Sequence, residues 1–354
     1  MTPLLYPLPT RRSRILGGVL GLAVGDALGV PVEFSDREVL KDNPVTGMRG
    51  WGVYNQPPGT WSDDTSMALC VLESILEKGW DIQDQGERFV RWLFHGHLTA
   101  HGSVFDFGGT TKDALMKIRF GAAAGDAGKT DEASNGNGSL MRILPASVYL
   151  SSRSDGELAD ALSQASAVTH GHPRSRLACV IHGLVSAELL AEKDPADAVA
   201  GAARRLEALR SSRGLAPDLE EEIPAFARAL SPDLAELPEG EIQSSGYVLH
   251  TLEASLWCLL TSNDYSSCVL KAVNLGRDTD TTGAVAGGLA GLCWGEEAIP
   301  REWLEELARE GMIRRMAEGL AEMTENPKKE EIMNEIPRSP FGEPDEVPEE
   351  RSSV

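Results

Sequence analysis

Basic residues are scarce in this chain: 33 Lys and Arg stand against 54 Asp and Glu in 354 residues, a formal net charge of −21. No stripe of Lys or Arg with interleaved aromatics interrupts that balance, so direct contact with nucleic acid is disfavoured, and the acidity reads as solubility. Cysteine is sparse too. Cys70, Cys179, Cys258, Cys268 and Cys293 show no CxxC spacing and lie mostly in apolar runs. They read as packed, reduced thiols of a cytoplasmic protein. Strand-like alternation is nearly absent, and so is any fixed-period repeat. Long apolar runs are missing except near the N-terminus, where residues 15–24 follow Arg11-Arg12 in the manner of a twin-arginine export signal. That run stops at Asp26 and flows into Gly29-Val30-Pro31-Val32-Glu33-Phe34, which argues for a retained helix. No other run is long and apolar enough to span a membrane.

Helical periodicity fills most of the chain. Residues 14–28 carry Gly17, Gly18, Gly21, Ala23, Gly25 and Ala27. Glycine weakens a helix, so this many imply a crowded centre where a neighbouring backbone approaches closely. Residues 67–78 and 85–95 are amphipathic, with Leu69, Leu72 and Leu76 and then Phe89, Trp92 and Leu93 as apolar positions. Shorter helical pieces at 113–120 and 140–149 bracket a loop at 121–138. Further helices are expected at 158–169, 174–191, 196–209, 247–260, 265–274 and 283–294, with one or two more over 301–323. The Pro- and Glu-rich stretch 217–241 reads as a loop with short helical turns. Trp51, Trp257 and Trp294 are expected in the core, while Trp61 is open to either a core or a ligand role. The expected architecture is all-α, one compact domain over 1–325. A Pro-, Glu-, Lys- and Ser-rich acidic tail at 326–354 should not order, since its few apolar groups do not offset the entropy of ordering.

Two clusters carry the chemistry. Ser62-Asp63-Asp64-Thr65 and Asp278-Thr279-Asp280-Thr281 each precede an apolar helical run. A carboxylate or hydroxyl at a helix start caps free N–H groups, which accounts for one Asp per helix. It leaves a second carboxylate at each start, where like charges repel unless a cation lies between them. If the two starts meet, four aspartates with Ser62, Thr65, Thr279 and Thr281 form an all-oxygen cage. Two hard divalent cations, Mg²⁺ or Mn²⁺, suit such a cage. Asp26 fits either a buried structural carboxylate or a site residue. His95, His97 and His101 are spaced like a metal cluster but lack a Cys or acidic partner nearby, so zinc is not expected there. His172, His182 and His250 should satisfy local hydrogen bonds.

Five strings then occur in order: Gly25-Asp26-Ala27-Leu28-Gly29-Val30-Pro31-Val32-Glu33-Phe34, Trp61-Ser62-Asp63-Asp64-Thr65, Asn135-Gly136-Asn137-Gly138-Ser139-Leu140-Met141-Arg142, Thr169-His170, and Gly276-Arg277-Asp278-Thr279-Asp280-Thr281-Thr282-Gly283. Together they resemble the ADP-ribosylglycohydrolase family from about residue 14 to residue 294. The resemblance implies an all-helical domain whose binuclear Mg²⁺ or Mn²⁺ centre holds the distal ribose of an ADP-ribosyl group. On the matching positions it implies that Ser62, Asp63, Asp64, Asp278, Asp280 and Thr281 bind the two metals and that Glu33 closes over the substrate. Asn137, Gly138, Ser139 and Met141 match the loop around diphosphate and ribose, and His170 matches a histidine of the nucleotide cleft. Asp106, in Phe105-Asp106-Phe107-Gly108-Gly109, resembles an aspartate that reaches the scissile end of the ribose. Phe107 departs from the family pattern there, as a stacking surface or as packing. Arg277 replaces an expected small residue and pairs with a phosphate, with a site carboxylate, or faces solvent.

The chemistry follows from the residues as well. Ribose hydroxyls on a divalent cation are oriented and polarised. A held water attacks as the C1″–N or C1″–O bond breaks through an electron-deficient carbon, and Glu33 or Asp106 relays the proton. Gly138 lets the backbone approach a diphosphate. The function expected is metal-dependent removal of ADP-ribose from a modified protein, with an arginine linkage favoured. The alternatives are serine-linked or O-acetyl-ADP-ribose, small ribosyl metabolites, or non-catalytic ADP-ribose binding; both Asp pairs and Glu33 argue against the last. The partner is an ADP-ribosylated protein or an ADP-ribose-containing small molecule, with neither nucleic acid nor membrane.

Overall fold

Glycine decides how the two central helices meet. The computed structural model describes residues 8–325 apart from residue 213, so the expected acidic tail lies outside the described residues. In it the helix Arg11–Gly29 packs antiparallel along the helix Thr279–Trp294. Gly17, Gly21 and Gly25 recur every four residues and so share one face; they oppose Gly291, Gly287 and Gly283. A Cβ on Gly25 would lie 2.0 Å from the Gly283 carbonyl oxygen, and one on Gly21 would lie 2.5 Å from that of Gly287. Only hydrogen fits, and the backbones touch. Each helical glycine costs roughly 0.5–1 kcal/mol against alanine, a cost offset by main-chain dispersion contacts along the pair. The antiparallel register has a functional result. It sets the last turns of the first helix, with Asp26, against the first turn of the second, with Asp280; a Cβ on Gly29 would lie 2.4 Å from the Asp280 Cα.

The other helices wrap this pair. Val248–Leu260 and Tyr265–Asn274 lie against Thr279–Trp294, Glu310–Glu325 lies against Arg11–Gly29, and Asp63–Lys78 packs on Ile82–His95. Pro173–Leu190 joins Asp155–Ala167 to Pro195–Ser211, and one apolar cluster runs through the assembly. Among the described residues no strand forms, only isolated bridges such as Gly136 with Tyr247. The all-α expectation holds. Residues 217–241 form short turns, among them Pro217–Glu220 and Pro232–Glu236, and the 301–323 region splits into Arg301–Glu306 and Glu310–Glu325. Arg11–Val32 is long and apolar enough to cross a membrane by composition, yet 94% of its apolar window is buried inside the protein.

Several helices begin a turn earlier than their apolar periodicity does, at Asp63, Ile82, Gly109, Asp155 and Thr279. Caps extend them over polar residues: Asp81 accepts from the Asp84 N–H, and Ser154 and Glu157 form a reciprocal capping box. Trp61 is core, its indole N–H donating to the Ala308 carbonyl at 2.8 Å. Trp51 corrects the expectation of a core residue. It is 65% exposed, because its loop is pinned by backbone contacts of Gly50 to Pro58 and of Gly52 to Pro31 that carry the ring outward.

Candidate active site

The first helix passes behind two helix starts, and Asp26 braces one of them. Its carboxylate accepts from the Ser62 N–H at 2.9 and 3.0 Å, the Thr65 N–H at 3.0 Å and the Thr65 hydroxyl at 2.6 Å. Burial pushes its pKa up to about 6, while those donors pull it down. Capping of Asp63–Lys78 therefore falls to Asp26 and to Ser62, whose Oγ accepts from the Asp64 N–H at 3.3 Å. Asp278 holds the cap position of Thr279–Trp294 and makes no capping bond. Its Oδ2 accepts instead from Asn137 Nδ2 at 2.9 Å. The paired carboxylates are not consumed by capping.

One carboxylate of each pair, Asp64 and Asp280, converges, while Asp63 and Asp278 face the cleft beside them. Asp26, Asp64 and Asp280 present oxygens within 4.8 Å of one another, as do Glu33, Asp106 and Asp280. Asp280 belongs to both groups. Asp64 Oδ1, Asp278 Oδ1 and Asp280 Oδ2 are buried without a hydrogen-bond partner among the described residues. A buried acceptor left unsatisfied costs about 1–3 kcal/mol, and more when charged. Burial and neighbouring carboxylates push Asp63, Asp64 and Asp280 well above the usual carboxylate range. A divalent cation would relieve both the repulsion and the missing donors, and an all-oxygen donor set suits Mg²⁺ or Mn²⁺. Asp26 belongs to the cluster by distance but not by availability, since Ser62 and Thr65 already occupy its oxygens. Ser62 and Thr281 donate to Asp64 Oδ2 at 3.0 and 3.4 Å. Thr65 and Thr279 leave the expected cage, because their hydroxyls are spent on Asp26 and on the Gly29 carbonyl.

Glu33 follows the short turn Val30–Val32, so the glycine-packed helix aims it at the same cluster. Its Oε2 accepts from the Tyr54 hydroxyl at 2.6 Å. The Tyr54 ring lies 5.1 Å from that of Phe105, next to Asp106. Burial, then the Asp106 charge, pushes Glu33 up to about 8, and burial raises Asp106 as well. Sequence reasoning missed Tyr54. Its one signal was an aromatic hydroxyl in a loop punctuated by Gly50, Gly52, Pro57 and Pro58.

These groups open on a cleft of about 360 Å³ that Glu33, Asp63, Asp106, Asp278 and Thr281 line on the acidic side. Its neutral wall includes Gly108, Gly109, Asn137, Gly138, Met141 and His170. A Cβ on Gly138 would stand 2.9 Å from His170 Cε1, so a side chain there would collide with the wall. His170 is held near a pKa of about 3 by burial and by the Arg142 charge, and it is neutral at physiological pH. The helix Gly109–Arg119 starts on this wall with no capping side chain and no acidic residue in its first turn. Its free N–H groups suit an anion.

A family model described as ADP-ribosylglycohydrolase matches residues 7–330. The chain belongs to the ADP-ribosylglycohydrolase family. It is 34% identical to the ADP-ribosylarginine hydrolase Tri1 of Serratia proteamaculans (strain 568), over 90% of this chain and 81% of that protein. It is 32% identical to the ADP-ribosyl-dinitrogen reductase glycohydrolase of Rhodospirillum rubrum, over 88% of this chain and 97% of that one. A solved structure titled ADP-ribosylglycohydrolase-related protein complex shares the fold with a TM-score of 0.73 and 35% identity, covering 89% of this chain and 99% of that one. The chain is therefore an enzyme that hydrolyses an ADP-ribosyl glycosidic bond.

Within this glycohydrolase a few expected side chains sit elsewhere. Ser139 is fully buried, its hydroxyl accepting from Ser166 Oγ at 2.8 Å, so it supports the loop from below the cleft. Arg277 pairs with Asp36 at 2.7 Å on the surface, and its carbonyl accepts from the Phe34 N–H at 2.6 Å. Phe107 lines the cleft, 38% exposed, with the Lys112 ammonium 5.9 Å from its ring. Against the expectation that His95, His97 and His101 lack an acidic partner, His97 meets Glu73, 24 residues earlier in the chain, at 2.6 Å, while His101 meets Thr60 Oγ1 at 2.8 Å.

Proposed function

We propose that this glycohydrolase removes ADP-ribose from arginine side chains of modified proteins, with two divalent cations, Mg²⁺ or Mn²⁺, held by Asp63, Asp64, Asp278 and Asp280 together with Ser62 and Thr281. The observation that carries the reading is the set of three buried carboxylate oxygens, on Asp64, Asp278 and Asp280, that have no donor among the described residues, Asp278 lining a cleft whose other wall is neutral and begins an uncapped helix. The arginine linkage draws support from relatives named as ADP-ribosylarginine hydrolases. When bound, the cations orient and polarise the ribose hydroxyls.

The chain's own groups supply the rest. The diphosphate lies against the uncapped Gly109 helix start and the loop 136–138, where Gly138 permits close approach. Asn137 ties that loop to the acidic cluster by donating to Asp278 and, separately, to the helix Val248–Leu260 by donating to the Thr251 hydroxyl, both at 2.9 Å. Met141 and His170 bound the nucleotide side. Asp106 steadies the scissile end of the ribose. Water oxygen bonds to C1″ as the C1″–N bond breaks with its electron pair leaving on the guanidine nitrogen; the water proton passes to the Glu33 carboxylate and from there to the released arginine, which restores the carboxylate. Release of ADP-ribose from arginine-, serine- and acetyl-linked substrates, with and without chelator, tests this. The arginine substrate should turn over fastest and stop with chelator. Faster turnover of either other linkage would reassign the acceptor, and chelator-resistant turnover would overturn the cation assignment.

A further inference from the structure

Three large apolar side chains on and beside the turn that carries Glu33 are left in solvent: Phe34, which lines the cleft, is 63% exposed, Trp51 65% and Val53 52%. They are neighbours through the backbone. The Val53 N–H donates to the Pro31 carbonyl at 3.2 Å, and a Cβ on Gly52 would lie 1.7 Å from that same oxygen. The loop is thus seated on the turn that carries Glu33 and Phe34. Tyr54 points inward from it to Glu33, while Trp51 and Val53 project outward. The exposed rim therefore begins beside the group placed at the scissile bond.

Phe34 and Trp51 both have φ of +62°, in the left-handed region that bulky side chains avoid. Such conformations persist only where the surroundings enforce them, and they gather at functional sites. Here they are enforced: the Phe34 N–H donates to the Arg277 carbonyl at 2.6 Å and the Trp51 N–H to the Gln56 carbonyl at 2.7 Å. Folding alone gives no reason to strain two aromatics and leave both wet. The Arg277 guanidinium next to Phe34 pairs with Asp36 at 2.7 Å, and the Arg49 guanidinium two residues before Trp51 is turned onto the Asn43 and Pro44 carbonyls. What this rim offers a partner is apolar surface.

We infer that Phe34, Trp51 and Val53 form the docking surface for the modified protein, meeting apolar side chains that flank the ADP-ribosylated residue. The inference rests on the reading that the substrate is a protein. Because the cleft takes the ADP-ribosyl group, the acceptor must lie beyond Glu33, where this rim stands. Aromatics at the centre of such contacts carry much of the binding.

The test compares free ADP-ribosylarginine with an arginine-ADP-ribosylated protein whose modified residue is flanked by exposed apolar side chains. Trp51→Asn, Val53→Ser and the double variant alter only exposed side chains, and Asn tolerates the left-handed backbone. On the protein, KM should rise about tenfold or more with kcat kept; on free ADP-ribosylarginine both constants should stay within twofold. Changing the substrate's flanking apolar residues to Ser should raise KM for wild type and leave the double variant unaffected. Unchanged KM on the protein overturns the docking surface alone, as does an equal loss on both substrates. A wild-type enzyme that cleaves free ADP-ribosylarginine but no modified protein overturns the protein-substrate reading and the docking surface with it.

Discussion

At the scale of single residues, the contact that most sharpens the chemistry is the Tyr54 hydroxyl donating to Glu33 at 2.6 Å. It fixes the carboxylate over the cleft and favours its ionised form against burial and the Asp106 charge. Tyr54→Phe keeps the ring beside Phe105 but removes the donor. Hydrogen bonds to charged groups contribute about 1.5–3 kcal/mol, so kcat should fall about 10- to 100-fold with little change in KM. Loss of the donor lets the Glu33 pKa rise further, and the acidic limb of the rate profile should move to higher pH. On a Glu33→Gln background, Tyr54→Phe should cost almost nothing more, because both changes remove one coupled interaction. Additive losses would show that Tyr54 acts on something else. Glu33 was legible in the sequence because it stands beside Pro31 and Phe34 in a string that resembles the family's. Tyr54 was not, since it sits in an aperiodic loop and its meaning arises only when the 50–56 segment docks on Pro31. The same docking exposes Trp51, which residue type alone assigned to the core.

Among the elements, the glycine register between Arg11–Gly29 and Thr279–Trp294 sets the distance between the acidic groups. Gly25→Ala places a methyl 2.0 Å from the Gly283 carbonyl oxygen, so the helices must part. Overpacking of this kind costs about 1–3 kcal/mol or more, and it moves Asp26 away from Asp280. Thermal midpoint and Mn²⁺ affinity should fall together. Gly156→Ala supplies the contrast: nothing lies within 4 Å of its added Cβ, so that helix should gain up to about 1 kcal/mol. Equal effects at both sites would refute the close-packing account. Periodicity and glycine content made the helices and the crowding legible, because both are properties of local sequence. The partner was not, since the contact joins residues more than 250 positions apart. Residue type alone did not separate the hydroxyls, although the family resemblance already singled out Ser62 and Thr281: Thr65 and Thr279 look equivalent to them until the packed helices present Asp26 and the Gly29 carbonyl.

For the whole molecule, the acidic cluster links proton binding, cation binding and stability. The Glu33 pKa is raised from 4.5 to about 8 in the fold, and those of Asp63, Asp64 and Asp280 are raised as well. Between the ordinary and raised values the folded protein binds more protons than the unfolded chain. The associated stability is full below the ordinary value and is lost as pH rises through the folded one. In chelator, the melting temperature should therefore climb as pH falls from 8 to about 6.5. Below that the buried His170 and His182 act in the opposite sense, since their pKa values are depressed to about 3 and the unfolded chain takes up their protons first. Cations compete with protons for the same oxygens, so Mn²⁺ should raise the melting temperature more at pH 8 than at pH 6.5. The net charge of −21 gives a competing explanation, because general self-repulsion also eases on acidification. Salt separates the two. About 0.5 M NaCl shortens the screening length to a few ångströms and suppresses surface repulsion, whereas buried pairs are screened much less. A pH dependence in chelator that survives the salt, and shrinks in Asp280→Asn, belongs to the cluster; one that vanishes with salt would assign it to the surface and leave the carboxylates unlinked to folding.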